Sequence, residues 1–287
     1  MDFDSNETLE RAIERNVRDA LMEDIGTGDW TSLLIPADRR VTAHVVAKEV
    51  ALLCGRPWFE ACLRALDPSA TIDWGAVEGG VVASGAELCR IEARGRALLS
   101  AERPCLNFLQ TLSAVATATR SYVDAIEGVS PNPRGCVILD TRKSLPGLRQ
   151  AQKYAVRVGG GQNHRMALWD GILIKENHIA ATGSIAAALT AARALGSNVG
   201  IQIEVENLDE LQQALEAGAR SVLIDDFDIA DMKRAVNLNA GRALLEVSGG
   251  VDLQRVREFA ATGVDRISIG KLTKDVRAVD LSMRVLA

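Results

Sequence analysis

Positive charge collects at three places near the middle of the chain. An apolar run, Val137 to Leu139, empties into Asp140-Thr141-Arg142-Lys143-Ser144. A glycine run, Gly159 to Gly161, leads directly into Gln162-Asn163-His164-Arg165. A second apolar run, Gly171 to Ile174, ends at Lys175-Glu176-Asn177-His178. Backbone without Cβ lets an anion approach closely, and arginine offers a planar fork to a carboxylate. Taken singly, a glycine run reads as a flexible loop and Arg142-Lys143 as surface charge. Cations repeated at the ends of two strand-like segments, with Asn-His-Arg attached to the glycines between them, point instead to a pocket for a multiply anionic ligand. The glycines form neither G-x-G-x-x-G after a strand nor a Walker A loop, which weighs against dinucleotides and nucleoside triphosphates.

Acids follow further along. In the run 201–206 the side chains alternate, so Ile201, Ile203 and Val205 share one face and Gln202, Glu204 and Glu206 the other. Burying those carboxylates is costly unless something cationic meets them. Val222-Leu223-Ile224 ends in Asp225-Asp226, a pair suited to ribose hydroxyls. The acidic stretch Phe227 to Asp231 that follows would repel phosphate, so phosphate binding falls to Ser248-Gly249-Gly250 and to Ile269-Gly270. Histidine, Asp and Glu do not recur at metal-ligand spacing, which argues against an all-protein metal cage. A Mg²⁺ bridging a phosphate ligand to Glu204 or Asp225 remains open. Only three histidines occur, and a lone one is more often a hydrogen-bonder than a catalyst; a direct role is expected of His164 before His178.

These residues need a frame. Apolar spacing predicts a helix over 5–24, then short β-type runs at 41–51, 71–74, 80–83 and 87–91 with a helix at 56–66, an α+β layer. A long helix over 98–126 is expected, interrupted or begun at Pro104, and then a loop at 129–135. Beyond it strands at 137–141, 171–175, 201–206, 221–225, 243–248 and 266–270 alternate with helices at 147–157, 183–195, 207–217, 228–238 and 252–261. Such alternation means parallel βα units, and spacing alone does not separate an open doubly wound sheet from a barrel. Polar groups at six successive strand ends, Arg142 and Lys143, Lys175, Glu204 and Glu206, Asp225 and Asp226, Glu246 and Ser248, then Gly270, favour the barrel, whose active sites lie at that face.

Bulk properties narrow the function classes. A net charge of −5 argues against a broad nucleic-acid or membrane surface. Five scattered cysteines without C-x-x-C support neither a disulfide framework nor zinc, and fit a reduced cytoplasm. The amino terminus, Met1 to Glu7, is acidic, and no apolar run is long enough to cross a bilayer.

Together, these residues strongly resemble the quinolinate phosphoribosyltransferase family. The matching stretches are Glu23 to Asp29, Ala101-Glu102-Arg103 with Leu106 to Leu109, Asp140 to Lys143, Gly159 to Arg165, Ile174 to His178, Ile203 to Asn207, Glu246 to Gly249 and Asp280 to Arg284, essentially the whole chain. The resemblance implies an α/β protein in which an α+β sandwich amino-terminal domain, 1–110, completed by 275–287, is joined to an incomplete (open) α/β barrel, 111–274. It implies a pentosyl transfer in NAD biosynthesis: quinolinate and phosphoribosyl pyrophosphate (PRPP), with Mg²⁺, give nicotinate mononucleotide, pyrophosphate and CO₂. It also implies a cytoplasmic homodimer in which Arg103 completes the neighbouring active site. By motif position Arg103, Arg142, His164 and Arg165 resemble the quinolinate-binding set, and Lys143 and Lys175 the lysines between the substrates. Glu204 and Asp225 resemble the ribose and metal carboxylates, and Ser248, Gly249, Gly250 and Gly270 the phosphate loops. Ser144, Ala167, Trp169 and Gly250 depart from the family pattern without removing a charged group.

Overall fold

The computed structural model describes residues 7–286. The acidic start Met1 to Asn6, with the first two residues of the helix predicted over 5–24, and Ala287 lie outside the described residues. In chain order the elements are α1 (Leu9–Ile25), β1 (Arg40–Ala47), β2 (Ala51–Leu52), α2 (Arg56–Leu66), β3 (Thr71–Trp74), β4 (Val81–Val82), β5 (Glu87–Arg94), α3 (Gly95–Ile126), β6 (Val137–Leu139), α4 (Arg149–Val158), β7 (Gly171–Ile174), α5 (Glu176–Thr182), α6 (Ile185–Ala194), β8 (Gly200–Val205), α7 (Leu208–Glu216), β9 (Ser221–Asp225), α8 (Ile229–Asn239), β10 (Leu244–Ser248), α9 (Val256–Ala260), β11 (Arg266–Ser268) and β12 (Leu281–Val285). They divide into two compact units. The first takes the described residues of Met1–Ala118, Ser144–Gly160 and Thr273–Ala287; the second takes Thr119–Lys143 and Gly161–Leu272.

In the first unit a four-stranded sheet runs in the order β12-β1-β5-β3, with all three pairings antiparallel. Along β1 every second residue from Ala43 is buried, the period of a strand with one face in a core. The carboxyl-terminal strand pairs Leu281 with Ala47 and Val285 with Ala43, so the last residues of the chain finish a sheet begun near the first. Trp58, Phe59, Cys62 and Leu63 form the buried stripe of α2, and Trp58 Nε1 donates to Asn16 Oδ1 of α1 at 3.2 Å. The long helix neither begins nor breaks at Pro104. It starts at Gly95 and carries Pro104 inside. Leu98, Ala101, Cys105, Leu109 and Leu112 continue one buried stripe through the proline, and that packing outweighs a single lost backbone bond.

In the second unit six parallel strands form one sheet in the order β6-β11-β10-β9-β8-β7. That is the chain order of a ring opened between its first two strands, so the architecture is an α/β barrel left incomplete. Val205, Val222, Ile224, Leu245 and Val247 are buried on the outer, helix-covered face. On the other face the register places Glu204 beside Leu223, Leu223 beside Glu246, and Glu246 beside Arg266.

Three strands end one or two residues sooner than predicted: β6 at Leu139, β7 at Ile174 and β11 at Ser268. The polar residues beyond them are loop or helix. After β7 the chain enters α5, which the sequence pattern did not predict. The Lys175 N–H donates to His178 Nδ1 at 3.1 Å, capping the helix start, and Gly183 at φ 89° ends it. The helix predicted from 183 therefore begins at Ile185, where Ser184 Oγ accepts the Ala187 N–H at 3.1 Å.

Candidate active site

The carboxyl ends of the six strands carry one half of the site. Glu204 points inward from β8, 9% exposed, and its Oε2 meets Lys175 Nζ at 2.6 Å. Lys175 follows the last residue of β7 and keeps its side chain 44% exposed, so the cation faces solvent and the anion does not. Asp225 ends β9, in register with Ser248 at the end of β10. Gly249 follows at φ 96°, and a Cβ there would stand 3.3 Å from Asp225 Oδ1. Backbone conformation and the close carboxylate both require glycine. At Gly270, opposite β6, the backbone is ordinary and only the approach is close: a Cβ on it would stand 3.1 Å from Lys143 Cδ and 3.4 Å from Thr141 Oγ1. The methylene chain of Lys143 thus lies across bare backbone, and Thr141 Oγ1 accepts the Lys143 N–H at 3.0 Å.

The Gln162 to Arg165 segment begins at the carboxyl end of β6, where Gln162 joins Leu139 by a parallel bridge, and carries His164 and Arg165 into a cavity lined by the amino ends of β7 to β11. Asp140 is fully buried. Its carboxylate accepts Asn163 Nδ2 at 2.6 Å and the His164 N–H at 2.9 Å. The Arg165 N–H donates to His164 Nδ1 at 2.8 Å, and Arg165 Nη1 to the Gly171 carbonyl at 2.9 Å. Burial, and then the charge of Arg142, hold the pKa of the Arg165 guanidinium below its usual value. Two guanidiniums whose charges oppose each other suit an anion with more than one charge.

Arg142, Lys143, His164, Arg165, Lys175, Glu204, Asp225, Ser248, Gly249, Gly250 and Gly270 all belong to the second unit. Arg103 lies in the first, on α3, its Nη2 2.7 Å from Glu102 Oε1 and its side chain 58% exposed. His178 serves as the cap of α5. Among the described residues no three His, Cys, Asp or Glu side chains converge as a metal cage. The fit for a divalent cation arriving with a phosphate ligand rests on Asp225, whose carboxylate stands at the strand end against the Gly249 backbone.

Two partners escaped the sequence reading. Asp140 was visible only as the polar residue closing an apolar run, and Glu246 only as one of several acids on the strands. Neither pattern names the donor each one meets.

Two family models cover the chain: the N-terminal domain of quinolinate phosphoribosyl transferase over residues 29–113 and its C-terminal domain over 115–284. The chain belongs to the quinolinate phosphoribosyltransferase family. A nicotinate-nucleotide pyrophosphorylase [carboxylating] of Mycobacterium leprae is 39% identical over 282 residues, 95% of this chain and 96% of that one. A probable nicotinate-nucleotide pyrophosphorylase [carboxylating] of Bacillus subtilis is 39% identical over 265 residues, 92% of this chain and 90% of its own. The solved structure of the nicotinate-nucleotide pyrophosphorylase from Francisella tularensis superimposes with a TM-score of 0.92 at 41% identity, covering 98% of this chain and all of that one. The open barrel and antiparallel sheet described above are thus the architecture of quinolinate phosphoribosyltransferases.

Proposed function

We propose that the chain carries out the reaction of its family, a pentosyl transfer in NAD biosynthesis in which quinolinate and PRPP give nicotinate mononucleotide, pyrophosphate and CO₂. The observation that carries the assignment of roles is the Arg142–Arg165 pair. Quinolinate bears two adjacent carboxylates, and one contact charge pair contributes only about 4 kcal/mol at an effective dielectric near 20, so several cations are needed. Arg142 and Arg165 take the dicarboxylate, with His164 in the same segment.

Breaking the C1′–pyrophosphate bond leaves positive charge on the ribose, which the carboxylates of Glu204 and Asp225 stabilise. The pyridine nitrogen forms the new bond to C1′. The 2-carboxylate then leaves as CO₂, its electron pair held at C2 by the adjacent pyridinium, and C2 takes up a proton with Lys143 or Lys175 near it. Ser248, Gly249, Gly250 and Gly270 offer backbone to the phosphates. Glu204 and Asp225 would hold, indirectly, the Mg²⁺ that accompanies PRPP and offsets the charge of the departing pyrophosphate.

Arg103 completes the neighbouring site in a homodimer; its exposed guanidinium supports that role. A cytoplasmic location is supported by the five free cysteines, and among the described residues no helix is long and apolar enough to cross a membrane. The test is product analysis with quinolinate labelled in the 2-carboxylate: labelled CO₂ in step with pyrophosphate is expected. Pyrophosphate from nicotinate but not from quinolinate would assign a different acid, and no pyrophosphate from either would indicate a binding protein.

A further inference from the structure

His164 sits in a chain of hydrogen bonds with only one possible direction. At one end is the Arg165 main-chain N–H, which can only donate, 2.8 Å from His164 Nδ1. Nδ1 must therefore present its lone pair, and the ring proton is on Nε2. Nε2 lies 3.0 Å from Gln202 Oε1, and Gln202 Nε2 donates to Glu246 Oε2 at 2.9 Å. At the far end the Glu246 carboxylate can only accept. With a pure donor at one end and a pure acceptor at the other, both the imidazole tautomer and the orientation of the Gln202 amide are determined. The second Glu246 oxygen stands 3.4 Å from His164 Nε2, and this close approach is not the ion pair of a charged imidazole, because Nδ1 carries no proton.

Glu246 is fully buried and Gln202 8% exposed, on β10 and β8 with β9 between them. Next to them a cavity of about 650 Å³ at the amino ends of β7 to β11 is lined by His164, Arg165, Gln202, Leu244 and Arg266 among others; Leu139, at the carboxyl end of β6, also lines it, whereas Lys143, Lys175, Glu204 and Asp225 do not. The ring is not wedged in place from that side, so its orientation depends on hydrogen bonds. Arg165 in turn leans on Gly171, where a Cβ would meet its own Cβ at 3.4 Å. The peptide that starts this arm is the one His164 holds.

We infer that Gln202 and Glu246 are positioning residues which lock His164 as the Nε2–H tautomer and, through its Nδ1, set the Arg165 arm of the dicarboxylate pocket. The inference rests on the proposed role of Arg165 for its kinetic consequence and on geometry alone for the tautomer. Gln202, Glu246 and His164 are not among the residues assigned above to the sugar and the phosphates, so the effect is expected on quinolinate.

Two readouts test it. Glu246→Ala is expected to raise the quinolinate KM about 10-fold, the loss of one hydrogen bond to a charged group, with kcat and the PRPP KM within about 2-fold. Glu246→Gln, which keeps an acceptor for the Gln202 amide, should recover most of that loss. Gln202→Ala should match Glu246→Ala, and the double variant should be no worse than either alone. With three histidines in the chain, ¹⁵N spectra of the imidazoles resolve the tautomer without any substrate. His164 should show a protonated Nε2 that exchanges slowly, and in Gln202→Ala that proton should exchange freely while His44 and His178 stay unchanged, marking an intact fold. A protonated Nδ1 on His164, or a quinolinate KM unmoved in all three single variants, overturns the inference. Failure of the wild-type protein to turn over quinolinate would instead overturn the proposed reaction, and the spectra would still decide the tautomer.

Discussion

The Lys175–Glu204 pair should respond very differently to loss of its two ends. At 2.6 Å and an effective dielectric near 20 the bare attraction is about 6 kcal/mol, most of it offset by taking the charges out of water. What remains depends on which partner is left behind. Glu204 is 9% exposed, whereas the lysine side chain is 44% exposed. Lys175→Met strands a carboxylate that water barely reaches, and stability should fall by about 2–4 kcal/mol, toward the lower part of the range for an orphaned buried charge. Glu204→Gln leaves an ammonium that turns to solvent, at a cost of about 0–1 kcal/mol. For a chain of this size roughly 2–4 °C of melting temperature accompanies each kcal/mol. Calorimetry of the ligand-free protein should therefore show Lys175→Met melting roughly 5–12 °C lower, with Glu204→Gln within about 3 °C of wild type. Turnover should not follow the same order, because Glu204→Gln also removes a charge assigned to the transition state and should lower kcat by about 100-fold or more. Equal destabilisation by the two substitutions, or a larger loss from Glu204→Gln, would refute the view that Glu204 is the buried end of the pair.

Gly270→Ala places a methyl 3.1 Å from Lys143 Cδ; the flexible lysine should move aside, leaving the melting temperature unchanged while kcat/KM falls about 10-fold, the scale of a misplaced catalytic group. Arg142→Ala and Arg165→Ala should each raise the quinolinate KM well above the PRPP KM in steady-state assays, and equal effects on the two substrates would count against a dicarboxylate pocket. Mixing Arg103→Ala with Lys175→Ala dimers should restore part of the activity after verified subunit exchange; no restoration would place Arg103 within its own subunit's site. Burial pushes the Cys89 thiol up to about 12, above its unfolded value of about 8.5. The folded state keeps this proton where the unfolded state loses it, so stability is complete below about pH 8.5 and declines between there and pH 12, by about 1.4 kcal/mol per unit. Urea midpoints from pH 8 to 10 should flatten by that amount in Cys89→Ala.

What could be read beforehand divides by distance along the chain. Arg142, Lys143 and Lys175 were legible because each lies within four residues of the end of a short apolar run, and Glu204 because strand alternation assigns it a face. The network around them was not. Asp140 meets His164 across 24 residues, His164 meets Gln202 across 38, and Gln202 meets Glu246 across 44. Periodicity says which face a side chain takes, not who stands opposite when strands come from separate βα units. The helix α5 escaped for a related reason: it buries none of its residues, so it carries no apolar period to detect. The same division orders the site. Glu204, Asp225 and Glu246 are strand residues held in a parallel ladder, Glu246 on both sides. Arg142, Lys143 and Arg165 lie outside any helix or strand. A buried carboxylate needs partners at fixed positions, since an unpaired one is costly, and a ladder supplies that rigidity. Cations that receive a ligand and release a product need the opposite, long side chains on segments free of ladder bonds. Ending β6 and β7 with their apolar runs, a residue or two short of the strands predicted over 137–141 and 171–175, is what separates the two requirements, because it leaves the acids in the sheet and puts the cations just beyond it.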